Sequence, residues 1–255
     1  MPEYNTLEMM IVAAARNLED GATVGVGTGA PCAAAMLAQK THAPKLVIMF
    51  EAGGISPLLP TMPISVGDSR TFYKAVMASG MCEIMETSQR GMVDYTFLGG
   101  AQIDMYGNLN STMIGDWHKP KVRIPGSGGA NDFASFCWRI MVITPHDSKR
   151  FVEKVSFLTT PGYLDGPGAR ERAGLPAHTG PYKVITNMAI MGYDEATKRM
   201  RVESLHEGST LDQVQANCGF PLLKAKEIVK TPPPSKEELA ILRNQVDPNR
   251  YIIGR

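Results

Sequence analysis

Blocks of apolar and polar residues alternate along the first fifty positions, and each block has the length of one helix or one strand. Asn5 and Glu8 stand three residues apart before an apolar-periodic segment, a capping-box spacing that predicts a helix start. A short strand is predicted at Thr23–Val26 and an alanine-rich helix at residues 31–39. Residues 45–50 (KLVIMF) form a continuous apolar run, which is typical of a strand covered on both faces.

The later pattern is less regular but extends the same alternation. We predict a helix at residues 71–80 and another beginning at 131–136, with strands at 94–98, 122–124, 139–144 and 155–159. Two further strands, 183–191 and 199–205, flank a hairpin turn, and helices follow at 210–217 and from Ser235 to about 245. Helices and strands that alternate in this way predict an α/β fold with an open, mostly parallel sheet and flanking helices. We expect one domain over residues 1–255.

Composition and charge narrow the classes of function. The 255 residues are 44% hydrophobic, which suits a sizeable core, and the formal net charge is only +1. With positive and negative charges nearly balanced, the protein has no overall electrostatic field that would attract nucleic acid or an anionic membrane. The four cysteines are scattered without a C-x-x-C pair, and no stretch approaches the ~20 apolar residues that span a bilayer. We therefore expect a cytoplasmic protein with no nucleic-acid or membrane partner.

Glu51 is the first residue that can carry chemistry. It follows the apolar strand at 45–50 and precedes Ala52-Gly53-Gly54. Ligands of open α/β sheets bind beyond the carboxyl ends of the strands, and glycines such as Gly53 let a substrate approach the backbone closely. A solvated loop carboxylate is the other interpretation of this position.

Two glycine-rich segments are further candidates. Residues 126–130 (GSGGA) can aim several N–H groups at one anion, which suits an oxyanion or a phosphate, although a plain tight turn fits them equally well. The segment 99–110 combines glycines with Gln102 and Asn108 after a predicted strand, and it either lines a site or builds turns.

Several kinds of site are disfavoured by spacing. The five histidines are not grouped with each other or with cysteine as zinc sites require, so we expect no metal centre. The G-x-G-x-G at residues 25–29 lacks the dinucleotide spacing, the GSGGA loop is not a P-loop, and no G-x-S-x-G motif is present.

Taken together, these segments resemble the class I CoA-transferases, close to the β subunit of the glutaconate type. The resemblance keeps the family's order over nearly the whole chain, with Glu-Ala-Gly where relatives have Glu-Ser-Gly or Glu-Asn-Gly. The stretches that carry it are VGVGTGAP, FEAGG, PISVGDSR, LGGAQIDMYGNLNSTMIGDWHKPKVRIPGSGGAN, TPGYLDGPGARERAGLP and DPNRYI.

The resemblance implies a function and a mechanism. Glu51 would be the covalent nucleophile of a ping-pong transfer of CoA between carboxylic acids, through a mixed anhydride and a glutamyl–CoA thioester. Gly128 and Gly129 would form the oxyanion hole. The candidates for binding substrate or CoA are Gly53, Gln102, Asn108, Ala130 and Asn131. The expected ligand is a coenzyme A thioester that acts as substrate, with no tightly bound cofactor.

The resemblance also implies a partner, because the chain matches only one of the family's two subunits. We expect a hetero-oligomer with an α subunit and a short dicarboxylate such as glutaconate as donor or acceptor. Arg70, Arg123 and Arg170 are candidates to pair with a distal carboxylate, and a surface or structural role is the other, more frequent interpretation of each. The alternatives are an acyl-CoA hydrolase or decarboxylase of the same fold, and a non-catalytic anion-binding subunit.

Overall fold

The computed structural model of the protein describes residues 3–254. Its helices, numbered in chain order, are α1 (Thr6–Ala15), α2 (Ala30–Lys40), α3 (Met81–Gln89), α4 (Ala130–Phe136), α5 (Ala169–Arg172), α6 (Leu211–Ala216) and α7 (Lys236–Ile241). A 3-10 turn occupies Ser69–Phe72, and a π-helical turn, Leu242–Val246, continues α7.

The strands are numbered in the same way. They are β1 (Thr23–Val26), β2 (Val47–Phe50), β3 (Gly54–Ile55), β4 (Met77–Ala78), β5 (Tyr95–Leu98), β6 (Gln102–Ile103), β7 (Leu109–Asn110), β8 (Met113–Gly115), β9 (Pro120–Arg123), β10 (Arg139–Ile143), β11 (Gly180–Ile185), β12 (Ala189–Tyr193), β13 (Met200–Leu205) and β14 (Leu223–Lys230).

The chain divides into two compact units. The first comprises the described residues up to Phe97 and from Pro232 onward. Its strands follow the order β5-β1-β2-β3-β4, with β1 parallel to both β5 and β2 and the short β3 and β4 antiparallel at the edge. α1 packs on α2, and most side chains of these two helices are buried. Because the alanine side chains of α2 are small, this helix can pack close to its neighbours.

The capping box predicted from Asn5 and Glu8 is present at α1. The Asn5 side chain accepts the Glu8 N–H at 2.9 Å, and the Glu8 carboxylate accepts the Asn5 N–H at 2.8 Å. Glu8 is buried, and Arg243 of the π-helical turn donates to both of its carboxylate oxygens, at 2.6 and 2.8 Å. This pair ties the C-terminal segment to α1 and holds the pKa of Glu8 below its usual value, against the effect of burial.

The second unit is Leu98–Thr231. Its main sheet has the order β14-β13-β12-β11-β10, with β10 parallel to β11 and β13 parallel to β14. The core of this unit contains Phe151 and Phe220 together with apolar residues of β10 to β13. Two antiparallel ribbons, β6–β7 and β8–β9, complete it.

The predicted fold class is confirmed: the protein is α/β, with an open, mostly parallel sheet and flanking helices. The two compact units do not decide whether the chain is a single domain. One domain over residues 1–255 therefore stays a prediction.

Three predicted elements are wrong. Residues 71–80 are not a helix, because this segment turns at Ser69–Phe72 and then pairs through β4 with β3. Residues 155–159 are irregular and form no strand, and the bridge to Leu109 is made by the next residue, Thr160. The predicted strand 183–191 is two strands, since the Thr186 hydroxyl accepts two backbone N–H groups and turns the chain. β14 was not predicted, because its polar and apolar residues do not alternate regularly.

Candidate active site

Glu51 lies in a tight turn directly after β2. The N–H of Gly53 donates to the carbonyl of Phe50 at 2.9 Å, which closes the turn around Glu51 and Ala52. Glu51 is half-buried, whereas Gly53 is buried. β3 begins at Gly54 and runs back antiparallel to β2. The carboxylate is therefore held on a short turn between two paired strands.

The glycine loop after β1 lies at the same edge of the sheet. Val26 and Phe50 are partners in the parallel register of β1 and β2, so Gly27 and Glu51 follow their strands at the same level. Gly29 then has a φ of 88° and precedes α2. The structure thus brings the VGVGTGAP and FEAGG segments together at the carboxyl edge of the parallel strands, where open α/β sheets bind ligands.

Two glycines of the Glu51 turn lie against backbone of other segments. A Cβ on Gly53 would lie 2.0 Å from the carbonyl oxygen of Ser79, and one on Gly54 would lie 1.9 Å from that of Thr71. Gly53 also has a φ of 119°, which side chains rarely adopt. Glycine is therefore required at these positions by packing around the turn.

The GSGGA loop lies in the second unit, directly before α4. The N–H of Ala130 donates to the Ser127 carbonyl, and the N–H of Asn131 donates to the Ser127 hydroxyl, both at 3.0 Å. Gly128 is exposed with a φ of 51°, and its N–H donates to no other residue within 3–254. Gly129 is buried. Of these donors, the Gly128 N–H is open to a ligand, whereas those of Ala130 and Asn131 are occupied within the loop.

The loop is anchored to its neighbours by side chains. The Ser111 hydroxyl donates to the Gly126 carbonyl at 2.9 Å, and the N–H of Gly126 donates to the Ser111 carbonyl at the same distance. The Asn131 amide donates to the Thr159 carbonyl at 3.0 Å, and the Thr159 hydroxyl accepts the Ser111 N–H at 2.9 Å. The Asn131 side chain therefore fixes the loop.

Asn108 is buried and joins two loops. Its Nδ2 donates to Asp104 Oδ2 at 2.8 Å and to the Leu164 carbonyl at 2.9 Å, while its Oδ1 accepts the N–H groups of Gly162 and Leu164. Burial raises the pKa of Asp104 to about 6, even though three N–H groups of Tyr106 and Asn108 donate to its carboxylate. The amide of Asn108 is thus engaged within the protein.

The Gln102 side chain is likewise engaged in hydrogen bonds within the protein. It is buried in β6, where its Oε1 accepts the Asn110 amide at 2.7 Å and the Ser156 N–H at 2.9 Å. Gln102 and Asn108 therefore shape the loops of the second unit, and these contacts occupy the Gln102 Oε1 and the Asn108 amide.

The three arginines suggested as carboxylate partners have other contacts. Arg70 pairs with Asp68 at 2.5 Å, and the guanidinium of Arg123 lies 4.9 Å from the ring centre of Trp117. Arg170 is buried and donates to four backbone carbonyls and to the Thr179 hydroxyl. Arg170 is thus a structural residue that holds the TPGYLDGPGARERAGLP segment, and burial lowers its pKa to about 10.

Sequence reasoning missed residues that support these loops, among them Ser79 and Thr159. Ser79 lies in the segment that was predicted to be helical, and its contact with Gly53 joins positions 26 residues apart. Contacts between residues so far apart in the chain cannot be predicted from a local sequence pattern.

Neither a metal nor a membrane segment is indicated by the described part of the chain. Within residues 3–254, no group of three or more histidine, cysteine, aspartate or glutamate side chains is arranged to hold a metal ion. No described helix is both long and apolar enough to cross a bilayer.

Comparison with known proteins establishes the class. The sequence model of the coenzyme A transferase family matches residues 7–217, which include Glu51 and the GSGGA loop. The chain belongs to this family, and it is a CoA-transferase subunit.

Particular relatives refine this class. The chain is 40% identical to the B subunit of 3-oxoadipate CoA-transferase from Pseudomonas knackmussii, over 95% of this chain and 94% of that one. It is 38% identical to the B subunit of glutaconate CoA-transferase from Acidaminococcus fermentans, over 98% and 95%. The crystal structure of the latter enzyme superposes with a TM-score of 0.94, at 36% identity, over 99% of this chain and 98% of that one. The cholesterol ring-cleaving hydrolase IpdB subunit of Rhodococcus jostii is 26% identical, over 86% and 82%.

Proposed function

We propose that this chain is the β subunit of an enzyme that transfers CoA between short dicarboxylic acids, with Glu51 as the covalent nucleophile. The observation that carries the proposal is the position of Glu51 on a closed turn at the carboxyl edge of β1 and β2, beside the Gly27–Gly29 loop. The family match supports the reaction class. Two of the relatives are named for dicarboxylates, 3-oxoadipate and glutaconate, which supports that class of substrate.

The chemistry would proceed through two acyl intermediates. A Glu51 carboxylate oxygen attacks the thioester carbonyl, the C–S bond breaks, and CoA leaves as a thiolate with a mixed anhydride formed on Glu51. The thiolate then attacks the glutamyl carbonyl, which releases the first acid as its carboxylate and leaves a glutamyl–CoA thioester. The second carboxylate takes up CoA by the reverse of these steps, which gives ping-pong kinetics.

Each attack places negative charge on a carbonyl oxygen, and this oxygen needs hydrogen-bond donors. Gly128 and Gly129 are the proposed donors; Gly128 is exposed, and its N–H donates to no other residue within 3–254. Loss of one such donor slows turnover by roughly 100- to 1,000-fold in other enzymes. The remaining binding candidates, Gly53, Ala130 and Asn131 together with Gln102 and Asn108, would act by shaping the loops that border the substrate.

The proposed partner is the α subunit of the same CoA-transferase, because the relatives above are named as B subunits. CoA thioesters would be substrates, and no tightly bound cofactor is required by this chemistry. We place the enzyme in the cytoplasm, in keeping with the four scattered cysteines of the sequence, none of which forms a C-x-x-C pair.

The test is CoA transfer by the chain co-purified with its α subunit. The wild type is expected to transfer CoA from an acyl-CoA to glutaconate or 3-oxoadipate, whereas Glu51→Gln should retain assembly and lose turnover. Glu237→Gln, at an exposed position of α7, is the matched control and should retain activity.

The competing activities give different results in the same assay. Release of free acid without any acceptor would indicate a hydrolase, and release of carbon dioxide would indicate a decarboxylase. Full activity of Glu51→Gln would contradict the proposal, and an assembly that binds acyl-CoA without turnover would indicate an anion-binding subunit.

A further inference from the structure

Ser79, the residue directly after β4, hydrogen-bonds to the turn that carries Glu51. The carbonyl of Gly53 accepts two hydrogen bonds from Ser79, one from its backbone N–H and one from its hydroxyl, each at 3.0 Å. The N–H of Gly53 is already bonded to Phe50. Both polar groups of Gly53 are therefore engaged, and one residue supplies both donors to its carbonyl.

Ser79 is itself held in place by the elements on either side of it. Before it, Ala78 of β4 is the register partner of Gly54 in β3. After it, Gly80 donates its N–H to the Glu83 carboxylate at 2.9 Å, which forms the capping box of α3. Ser79 thus stands between a paired strand and a capped helix, and both restrain its backbone.

The Ser79 backbone also packs tightly against Gly53. The Ser79 carbonyl oxygen occupies the space where a side chain on Gly53 would lie, 2.0 Å from the ideal Cβ position. The Glu51–Gly53 turn can therefore move neither toward Ser79, because of this packing, nor away from it, because two hydrogen bonds would break.

We propose that Ser79 is a positioning residue for the nucleophile: its hydroxyl and N–H hold the Gly53 carbonyl, and through it they fix the turn that presents Glu51. This inference rests on the proposed role of Glu51. A nucleophilic carboxylate must meet its target in a narrow range of distance and angle, and small displacements are costly in rate. Ser79 touches neither substrate nor reacting atoms in this account, and it acts only through the turn.

The experiment compares Ser79→Ala, Ser79→Thr and Ser148→Ala in the complex with the α subunit. Ser79→Ala removes one of the two bonds to Gly53, and Ser79→Thr keeps a hydroxyl at the same place. Ser148 is exposed, and its hydroxyl forms no hydrogen bond within the described residues, so Ser148→Ala controls for the change of side chain. The first readout is the initial rate of CoA adduct formation on Glu51 at several acyl-CoA concentrations.

We expect Ser79→Ala to lower kcat roughly fivefold to tenfold, the effect of one lost neutral hydrogen bond, with KM unchanged. Ser79→Thr should restore most of the rate, and Ser148→Ala should match the wild type. A wild-type kcat in Ser79→Ala overturns the inference, and so does an equal loss in Ser79→Thr.

The second readout is amide hydrogen exchange of the peptide that contains residues 50–54. Faster exchange in Ser79→Ala, with protection restored in Ser79→Thr, supports the positioning role, whereas unchanged exchange overturns it. Absence of any adduct on wild-type Glu51 counts against the proposed function alone, because the exchange result still decides whether Ser79 holds the turn.

Discussion

The replacement of Gly53 by alanine tests the packing of the Glu51 turn directly. At a φ of 119° an alanine is strained, which costs about 1–3 kcal/mol. The new Cβ would also lie 2.0 Å from the Ser79 carbonyl oxygen and 2.6 Å from its carbon, and backbone atoms cannot swing aside as a flexible side chain can. The turn must therefore shift and weaken two hydrogen bonds, each worth about 1 kcal/mol.

The summed destabilisation is about 3–5 kcal/mol, which in a chain of this size lowers the thermal midpoint by about 10 °C. Gly21→Ala is the matched control, because Gly21 has a φ of 79° but a Cβ at this position would have no atom within 4 Å of it. The free energy of unfolding of this control should fall only by the cost of the strained backbone, about 1–2 kcal/mol. Circular dichroism melts of both variants provide the comparison, with CoA transfer measured below both midpoints. Equal melting temperatures of the two variants, with full activity of Gly53→Ala, would show that the Ser79 carbonyl does not restrict the Glu51 turn.

Three further predictions concern buried polar groups. Asn108→Ala leaves Gly162 and other loop groups without partners and should destabilise the protein by about 3 kcal/mol in urea titrations; a change below 1 kcal/mol would be inconsistent with the four contacts. The raised pKa of Asp104, about 6, means that its protonated form contributes stability below about pH 4 that is lost as the pH rises through 6. Melts of wild type and Asp104→Asn should therefore diverge with pH in favour of the variant, by roughly 3 kcal/mol at most, and parallel pH profiles would disprove this. Arg243→Ala leaves buried Glu8 without its cation and should cost about 3–5 kcal/mol, whereas a midpoint within 1 °C of wild type would show that the pair is dispensable.

Sequence patterns predicted those elements whose signals are local. α1 begins where the Asn5 and Glu8 capping box placed it, and β1 spans the predicted Thr23–Val26, because a cap and a short apolar run depend on neighbouring residues only. The same holds for α7, which Ser235 caps through the Glu238 N–H.

The parts that failed depend on contacts between distant residues. Within the segment 71–80, Met77–Ala78 form an edge strand because β3 offers them a backbone partner, and no pattern within the segment reveals this. Likewise, Asn108 and Gln102 stand in a polar cluster that suggested substrate contacts, but several of their partners lie 54 to 56 positions away in other loops. The position of Glu51 after a parallel strand was predictable, whereas the Ser79 contact that fixes its turn was not.

The nucleophilic role of Glu51 is tested most directly by mapping the covalent adduct on the enzyme. The complex with the α subunit is incubated with an acyl-CoA and no acceptor acid, quenched, digested and analysed by mass spectrometry. We expect a CoA thioester on the peptide that contains Glu51, and this adduct should disappear when an acceptor dicarboxylate is added. Sustained CoA transfer with the Glu51 peptide unmodified, or with the adduct on another residue, would contradict this role.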